Sequence, residues 1–365
     1  MKKNNPSEIF ARVEARVAQE KMPAEQIYYD LAEKLNPGEK LITPRILARA
    51  ANLDQARILA ALPDPEIKPA SGRSLEISDS FAARLNLDKS LVEKHIREMY
   101  EKGFVFPTKK GPSLARNFMQ LHDAALGNPK YDEQLGKIYF DLWGMMDGPM
   151  VDPLPSHILP GQFVFRIIPR WPSIKDVRGV QPWEDARTIL KSQELIALIP
   201  CGCKRSHTDR WCGVPEKSCL SLGRTAQYNL DRGTGRKLSY DEAVGIIESF
   251  DKLPVIHATV NQREVTQLFC NCHHCCCPAF RFMQKSRFRV KIDPEKCNGC
   301  RACVEKCQFQ AISMGTYGSM KGQRACVDPE VCRGCGSCVI VCKPGAMTMA
   351  IVRPLEHVPE SLTIY

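Results

Sequence analysis

One short stretch of this chain is unusually rich in cysteine. Residues 270–277 read CNCHHCCC, which places five cysteines and two histidines in eight positions. All eighteen cysteines of the 365-residue chain lie between Cys201 and Cys342. Thiols at this density either form disulfides or bind metal, and clusters outside secreted proteins are more typical of metal ligation. The sequence therefore predicts metal chemistry in its C-terminal half.

A duplication near the C-terminus has the most specific cysteine spacing. IDPEKCNGCRACVEKCQFQAISM, from Ile292, aligns without gaps to VDPEVCRGCGSCVIVCKPGAMTM, from Val327. Each copy contains C-x2-C-x2-C-x3-C, and this arrangement resembles that of bacterial two-cluster ferredoxins, in which the fourth cysteine of each run binds the other cluster. The resemblance implies one [4Fe–4S] cluster on Cys297, Cys300, Cys303 and Cys342, and a second on Cys332, Cys335, Cys338 and Cys307.

The repeat departs from the ferredoxin pattern directly after the fourth cysteine. Proline is usual there, whereas this chain has Gln308 in the first copy and Lys343 in the second, with Pro344 one residue later. Gly299 and Gly334 lie inside the two loops, where the backbone must come close to inorganic sulfide and can require a positive φ. These differences concern the loop geometry rather than the ligand set.

Nine further cysteines form two groups in the middle of the chain. The first group is Cys201, Cys203, Cys212 and Cys219, and the second is Cys270, Cys272, Cys275, Cys276 and Cys277. Thiolate sites select zinc or iron–sulfur clusters, so additional [4Fe–4S] clusters, zinc and free redox-active thiols all stay open. His207, His257, His273 and His274 are alternative ligands, although a solvated or hydrogen-bonded role suits each of them better. Cys326 stands apart, and we predict that it is a small buried hydrophobe.

The middle cysteines also fit a wider resemblance. The segments IPCGCKR, CLSLG, DEAV and CNCHHCCCPAF occur in this order before the ferredoxin repeat. From about residue 180 to 350 the chain is similar to a family of ferredoxin-type 4Fe–4S binding proteins of anaerobic bacteria and archaea. The resemblance implies a winged-helix-like N-terminus, a Cys-rich middle domain and iron–sulfur electron transfer. Members often have a further cysteine where this chain has His273 or His274.

The first 125 residues contain no cysteine and read as helical. A short helix, a turn at Asn86–Asp88 and a helix over Lys89–Lys102 precede an extended FVF and the turn PTKKGP. This order resembles a winged helix, with Ser90–Glu101 as the recognition helix and Lys109–Lys110 on the wing. The recognition helix has a near-neutral charge balance, which favours protein docking over DNA binding because DNA affinity depends on neutralising phosphates.

The remaining elements must position the two middle cysteine groups. Residues 126–180 are rich in proline and glycine and predict a connecting segment. An α/β pattern follows, with helices over 182–192, 219–233 and 239–250 and with strands at ELIALIP and LPVIHATV. Ser239 and Glu242 form a capping box. The two cysteine groups follow the apolar segments LIALIP and QLF, so we expect them at neighbouring strand ends of one sheet.

These patterns predict a multidomain α+β fold. Its parts are a helical, winged-helix-like docking domain at 1–125, a connecting segment at 126–180, a Cys-rich α/β metal-binding domain at 181–288, a two-cluster [4Fe–4S] ferredoxin domain at 289–352 and a tail at 353–365.

We predict a cytoplasmic electron-transfer protein that is a component of an oxidoreductase rather than a stand-alone enzyme. No apolar segment of a signal peptide is visible, and no run approaches the ~18 apolar residues of a membrane span. The net charge of +10, and eleven basic against five acidic residues at 285–343, favour an acidic redox partner such as a flavoprotein. Two alternatives stay open: an iron–sulfur redox sensor that binds DNA through the winged helix, and a reductase whose middle cluster binds substrate.

Overall fold

The computed structural model describes residues 6–63, 74–115, 118–147, 164–210, 212–318 and 320–361. Helices make up most of the N-terminal region, and they are α1 (Pro6–Val17), α2 (Gln26–Leu35), α3 (Thr43–Ala50), α4 (Leu53–Ala61), α5 (Asp79–Leu85), α6 (Lys89–Lys102), α7 (Phe118–Ala125) and α8 (Asp132–Asp147). Strands β1 (Phe106–Thr108) and β2 (Gly111–Ser113) form a hairpin between α6 and α7. One apolar core, which includes Leu31, Leu47, Ile96 and Trp143, joins these helices.

The expected helix-turn-helix and hairpin are present at 79–113. Asn86 ends α5 in the left-handed conformation with φ 53°, and the Asp88 side chain caps α6 by accepting from the backbone of Ser90 and Leu91. Ser74 adds a single antiparallel bridge to Thr108 at the edge of the hairpin. The order of elements is therefore the one that the sequence pattern predicts, while its use as a winged helix stays a prediction.

The expected connecting segment at 126–180 differs from the structure in its described parts. Residues 132–147 form α8, which is interrupted at Gly136, and its Tyr139 and Trp143 are fully buried in the N-terminal core. Residues 165–168 are a strand of the central sheet. The proline-rich stretch at 148–163 lies outside the described residues. Most of the described connecting segment thus contributes to packed cores instead of linking them.

The middle region is built on one six-stranded sheet. Its strands, in chain order, are β3 (Phe165–Ile168), β4 (Ile196–Pro200), β5 (Lys217–Leu222), β6 (Arg236–Leu238), β7 (Ile256–Val260) and β8 (Leu268–Cys272). Their order across the sheet is β3-β7-β8-β5-β4-β6, and every neighbouring pair is antiparallel. The accompanying helices are α9 (Trp171–Ile174), α10 (Ala186–Lys191), α11 (Gly202–Ser206), α12 (Gly223–Asp231) and α13 (Tyr240–Ser249).

One expectation for this region needs correction, and one is confirmed. Residues 219–222 were expected in a helix but belong to β5, and the helix begins only at Gly223. The sheet is antiparallel, and the end of β4, the beginning of β5 and the end of β8, which carry cysteines of both groups, meet at one end of it. The capping box of Ser239 and Glu242 at the start of α13 is confirmed.

The C-terminal repeat forms two small antiparallel sheets and two short helices. Strand β9 (Phe288–Ile292) pairs with β12 (Met347–Ile351), and β10 (Ile312–Gly315) pairs with β11 (Arg324–Val327). Each copy also has a short helix after its cysteine loop, α14 (Ala302–Lys306) and α15 (Ser337–Ile340). None of the helices among the described residues is long and apolar enough to cross a membrane.

Candidate metal centres

Four cysteines line a first cavity in the C-terminal repeat. They are Cys297, Cys300 and Cys303 of the first copy and Cys342 of the second. Apolar side chains, including Met314 and Met347, complete the wall. Cys303 is buried, whereas Cys300 is exposed, so this cavity reaches the protein surface.

A second cavity has the same construction with the copies exchanged. Its cysteines are Cys332, Cys335, Cys338 and Cys307. Cys332 and Cys338 are both buried, and none of the four cysteines is exposed. Each cavity therefore brings together the four cysteines that the ferredoxin resemblance assigns to one cluster.

The loops around the two cavities are related by the sequence repeat. Gly299 and Gly334 occupy equivalent positions with φ of 76° and 70°. A Cβ atom on Gly334 would lie 2.1 Å from the carbonyl oxygen of Phe288, so only glycine fits there. The expectation of a positive φ inside these loops is thus confirmed.

Backbone amides donate to cysteine sulfur in both cavities. The amide of Ala325 lies 3.5 Å from Cys297 Sγ, and the amide of Ala311 lies 3.3 Å from Cys307 Sγ. Hydrogen bonds to ligand sulfur stabilise the added negative charge of a reduced cluster and raise its potential. Each cavity therefore offers one such hydrogen bond to a cysteine sulfur.

Six middle cysteines form a closed ring of neighbouring thiols at the end of the sheet. Each thiol neighbours the next in the order Cys201, Cys203, Cys277, Cys272, Cys270, Cys219 and back to Cys201. We call these six residues the thiol ring. Side chains alternate along β8, so Cys270 and Cys272 lie on the same side of this strand. On that side they meet the cysteines of β5 and of the β4–α11 connection. The ring is buried in the protein, and Cys201, Cys219, Cys272 and Cys277 are each less than a tenth exposed.

The other three middle cysteines form a second group beside the ring. The thiols of Cys212, Cys275 and Cys276 neighbour one another, and Cys276 Sγ donates to the backbone oxygen of His273 at 3.7 Å. One ligand atom each of Cys212, Cys275 and His273 lie within 4.8 Å of one another. The adjacent residues Cys276 and Cys277 therefore point to different groups, a division that the sequence alone does not predict.

A buried lysine accompanies the thiol ring. Lys204 is 1% exposed, and its Nζ donates to the backbone oxygen of Asn271 at 2.9 Å. Although burial opposes its charge, the nearby thiols of Cys201 and Cys219 raise the pKa of Lys204 above its ordinary value. Lys204 therefore stays positively charged and offsets thiolate charge, a role that sequence analysis missed.

Direct contacts join the second cavity to the middle cysteines. The Gln308 side chain accepts from the backbone amide of His274 at 3.0 Å and donates to the oxygen of Pro254 at 2.6 Å. Proline at this position could make neither contact, which gives a physical reason for the departure from the ferredoxin pattern. The rings of Phe280 and Phe309 stack beside this contact with centroids 4.7 Å apart.

The candidate histidines have separate roles in the structure. His257 Nδ1 is 2.6 Å from Asn271 Oδ1, and burial lowers the pKa of His257 to about 3, so this ring is neutral. His207 Nδ1 is 3.0 Å from the backbone oxygen of Cys203. His274 contacts Gln308, and only His273 has a ring nitrogen in a group of candidate metal ligands among the described residues. Cys326 is half-buried and lies outside both cavities and both middle groups.

Comparison with known proteins identifies one part of the chain. Residues 296–346 match the family of the 4Fe-4S dicluster domain. Searches of curated proteins and of solved structures find no match. The C-terminal repeat is therefore a ferredoxin-type iron–sulfur domain, and this match together with the many cysteines marks the chain as an iron–sulfur protein.

Proposed function

We propose that this chain is an iron–sulfur electron-transfer protein with two [4Fe–4S] clusters in the cavities of the ferredoxin domain and a further cluster on the thiol ring. Such clusters accept and release one electron at a time. The ferredoxin cysteines would hold the two clusters in the cross-copy sets that line the cavities. The thiol ring supplies six sulfurs, of which a cube of four irons needs four, and we assign the buried Cys277 to one of the four irons.

The observation that carries this proposal is the contact between the second cavity and the ring. Cys335 packs into the same apolar cluster as Cys272 and Cys277, together with Phe280 and Phe309. Since Gln308 directly follows Cys307, its bonds to His274 and Pro254 fix this contact from the ferredoxin side. In this proposal the first cavity, the second cavity and the thiol ring form a row of three cysteine sites, of which the first cavity is exposed and the ring is buried.

The exposed first cavity is where we expect a redox partner to bind. Arg301 lines this cavity beside the exposed Cys300, and Lys296 is exposed nearby. Positive charge at the rim attracts an acidic partner and accelerates encounter at low salt. A partner of this kind, such as an acidic flavoprotein, would exchange electrons at the first cavity, and the buried ring would be the far end of the route.

Iron and acid-labile sulfide per chain, measured on protein purified without oxygen, test this function. Three cubes require about twelve irons, and two require about eight. In Cys277→Ser we expect the loss of about four irons with the ferredoxin signals retained, whereas Cys326→Ser should keep the full iron content because Cys326 lies outside the sites. Eight irons in the unchanged protein would refute the ring cluster.

A DNA-binding redox sensor is the second candidate function, and one observation favours it. On α6 the acidic Glu98 and Glu101 are engaged with Lys102 and Lys130 respectively, which leaves Lys94 and Arg97 exposed. The exposed face is thus more basic than the residue count suggests. Titration with duplex DNA at low and high salt, in both cluster oxidation states, separates the functions, because a sensor must bind with a strong salt dependence that changes with oxidation state.

A further inference from the structure

A second group of candidate metal ligands lies beside the thiol ring. We propose that Cys212, Cys275, Cys276 and His273 bind one zinc ion, separate from the proposed ring cluster. Three of these residues, Cys212, Cys275 and His273, have ligand atoms within 4.8 Å of one another. The Cys276 thiol neighbours both other thiols, but it donates to the backbone oxygen of His273 at 3.7 Å and must turn inward to become the fourth ligand. Tetrahedral zinc with Zn–S bonds of about 2.3 Å separates its sulfur ligands by about 3.8 Å, so the group must also contract when the ion binds.

The ligand set and its spacing favour a single ion over an iron–sulfur cube. Three thiolates and one imidazole are a frequent ligand set of structural zinc. Ferredoxin loops separate consecutive cluster cysteines by two residues, so that each sulfur reaches a different iron. Cys275 and Cys276 are adjacent, and with His273 they confine three ligands to four consecutive residues. Such a compact arrangement suits one metal centre.

The surroundings of the four ligands hold them in place. His273, Cys275 and Cys276 are at most 4% exposed. The backbone of Val214 hydrogen-bonds to Cys212 and orients its thiol. The amide of Cys275 donates to His273 Nδ1 at 3.1 Å, and this bond must break when zinc binds, because a neutral imidazole that ligates a metal keeps its proton on the other ring nitrogen.

A zinc ion at this site would link the loop between α11 and β5 to the segment that follows β8. Cys212 lies in the loop between α11 and β5, whereas the other three ligands follow β8. Val214 of this loop also packs on Phe250 and Val255. Cys277 of the ring directly follows Cys276, so the proposed zinc site lies next to the ring and would limit the access of solvent to it.

The adjacent cysteines provide a matched test. Zinc and iron are measured in the full-length protein and in the variants Cys276→Ser and Cys277→Ser, all prepared without oxygen. We expect one zinc per chain in the unchanged protein, loss of zinc with full iron in Cys276→Ser, and retained zinc with reduced iron in Cys277→Ser. Iron loss in both variants without any zinc would overturn the proposal. A second zinc lost only in Cys277→Ser would refute the ring cluster and leave this site standing.

A second measurement keeps the test valid if a serine variant fails to fold. Zinc release to a chromogenic chelator is followed in His273→Ala and in His274→Ala. Loss of a ligand should accelerate release at least tenfold in His273→Ala, while His274→Ala, which removes only a ring stacked on His273 with centroids 4.3 Å apart, should release zinc much more slowly than His273→Ala. Equal release rates in the two variants and the unchanged protein would remove His273 as a ligand and overturn the four-ligand site.

Discussion

Arg170 joins the ferredoxin domain to the central sheet, and its replacement by methionine tests that junction. The side chain is fully buried. Its backbone amide donates to the oxygen of Cys335 at 3.0 Å, in the loop that lines the second cavity. Its guanidinium donates to five acceptors, which are Ser337 Oγ, Asp251 Oδ1 and the backbone oxygens of Phe250, Leu253 and Val255.

The size of the effect follows from what Arg170→Met leaves behind. Methionine fills much of the volume but donates no hydrogen bond, so four neutral acceptors and the Asp251 carboxylate lose their partner. Removing one member of a buried ion pair costs about 3–5 kcal/mol. Asp251 retains a side-chain exposure of 22%, so water partly compensates for the loss. We therefore expect a loss near the middle of that range, about 4 kcal/mol.

Kinetics of unfolding are the suitable assay, because an iron–sulfur protein loses its clusters irreversibly once it unfolds. If half of about 4 kcal/mol is lost from the barrier, the unfolding rate in guanidinium rises about 30-fold. Tryptophan fluorescence and cluster absorbance, recorded without oxygen, report the two domains together. Arg178→Met, at an exposed position of the same segment, is the control. An Arg170→Met rate within threefold of the control would refute the reasoning.

Three further predictions concern charge and contact around the ring. Lys204→Gln should lower the reduction potential of the ring cluster by roughly 100 mV, because it removes a positive charge beside the ring. Coulomb's law gives about 3 kcal/mol for unit charges ~6 Å apart at an effective dielectric of ~20. Redox titration measures the potential, and Lys191→Gln, at an exposed position, is the control. Gln308→Pro should keep the iron of the ferredoxin domain, but electron transfer from that domain to the ring should be slower once the ferredoxin clusters have been rapidly reduced. The reason is that both side-chain hydrogen bonds of Gln308 are lost. An unchanged transfer rate would contradict an electron route through this contact. Burial opposes protonation of His122, yet the carboxylates of Asp147 and Asp123 raise its pKa well above the ordinary value. This contribution to stability is complete below the unfolded pKa of about 6.5 and is lost as pH rises through the folded pKa. The unfolding rate should therefore rise above neutral pH in the unchanged protein and less so in His122→Gln.

The ferredoxin domain could be predicted because its information is local. Cysteine spacing within each copy fixes which residues reach one cluster, and the 35-residue repeat supplies the partner loop. The same holds for α6, where Asp88 caps the first turn and Gly103 follows the last with φ 92°. In both cases the residues that define the structure lie within a few positions of one another.

Errors arose where tertiary contacts override local preference. Leu220 and Leu222 of β5 are completely buried, as are Ser218 and Ser221, because this strand lies between β4 and β8. A strand buried on both faces lacks the alternation that identifies strands in sequence. Helix α8 was missed for a related reason. Its Gly144 reads as a helix breaker, yet a Cβ atom there would lie 2.6 Å from the oxygen of Ser206.

The division of the middle cysteines depends on contacts that no spacing encodes. Cys219, Cys270 and Cys272 meet because β5 and β8 are neighbours in the sheet. Cys212 reaches Cys275 and Cys276 only through the fold of the loop before β5. The sequence showed nine thiols and left zinc and iron–sulfur both open, since ligand type without geometry does not choose between them.

The cysteine-free N-terminal region is packed against the first middle cysteine loop and cannot be treated as a separate appendage. Gly144 of α8 lies against Ser206 of α11, and the Ser206 hydroxyl donates to Asp147 at 2.7 Å. Arg205 of the same helix pairs with Asp132 of α8. Cys201 and Cys203 of the thiol ring precede the contacting residues Arg205 and Ser206. Removing residues 1–147 would therefore expose the segment that carries these two cysteines. Loss of iron in such a truncated chain would therefore report damaged packing, and only point substitutions on the exposed face of α6 can separate docking from support.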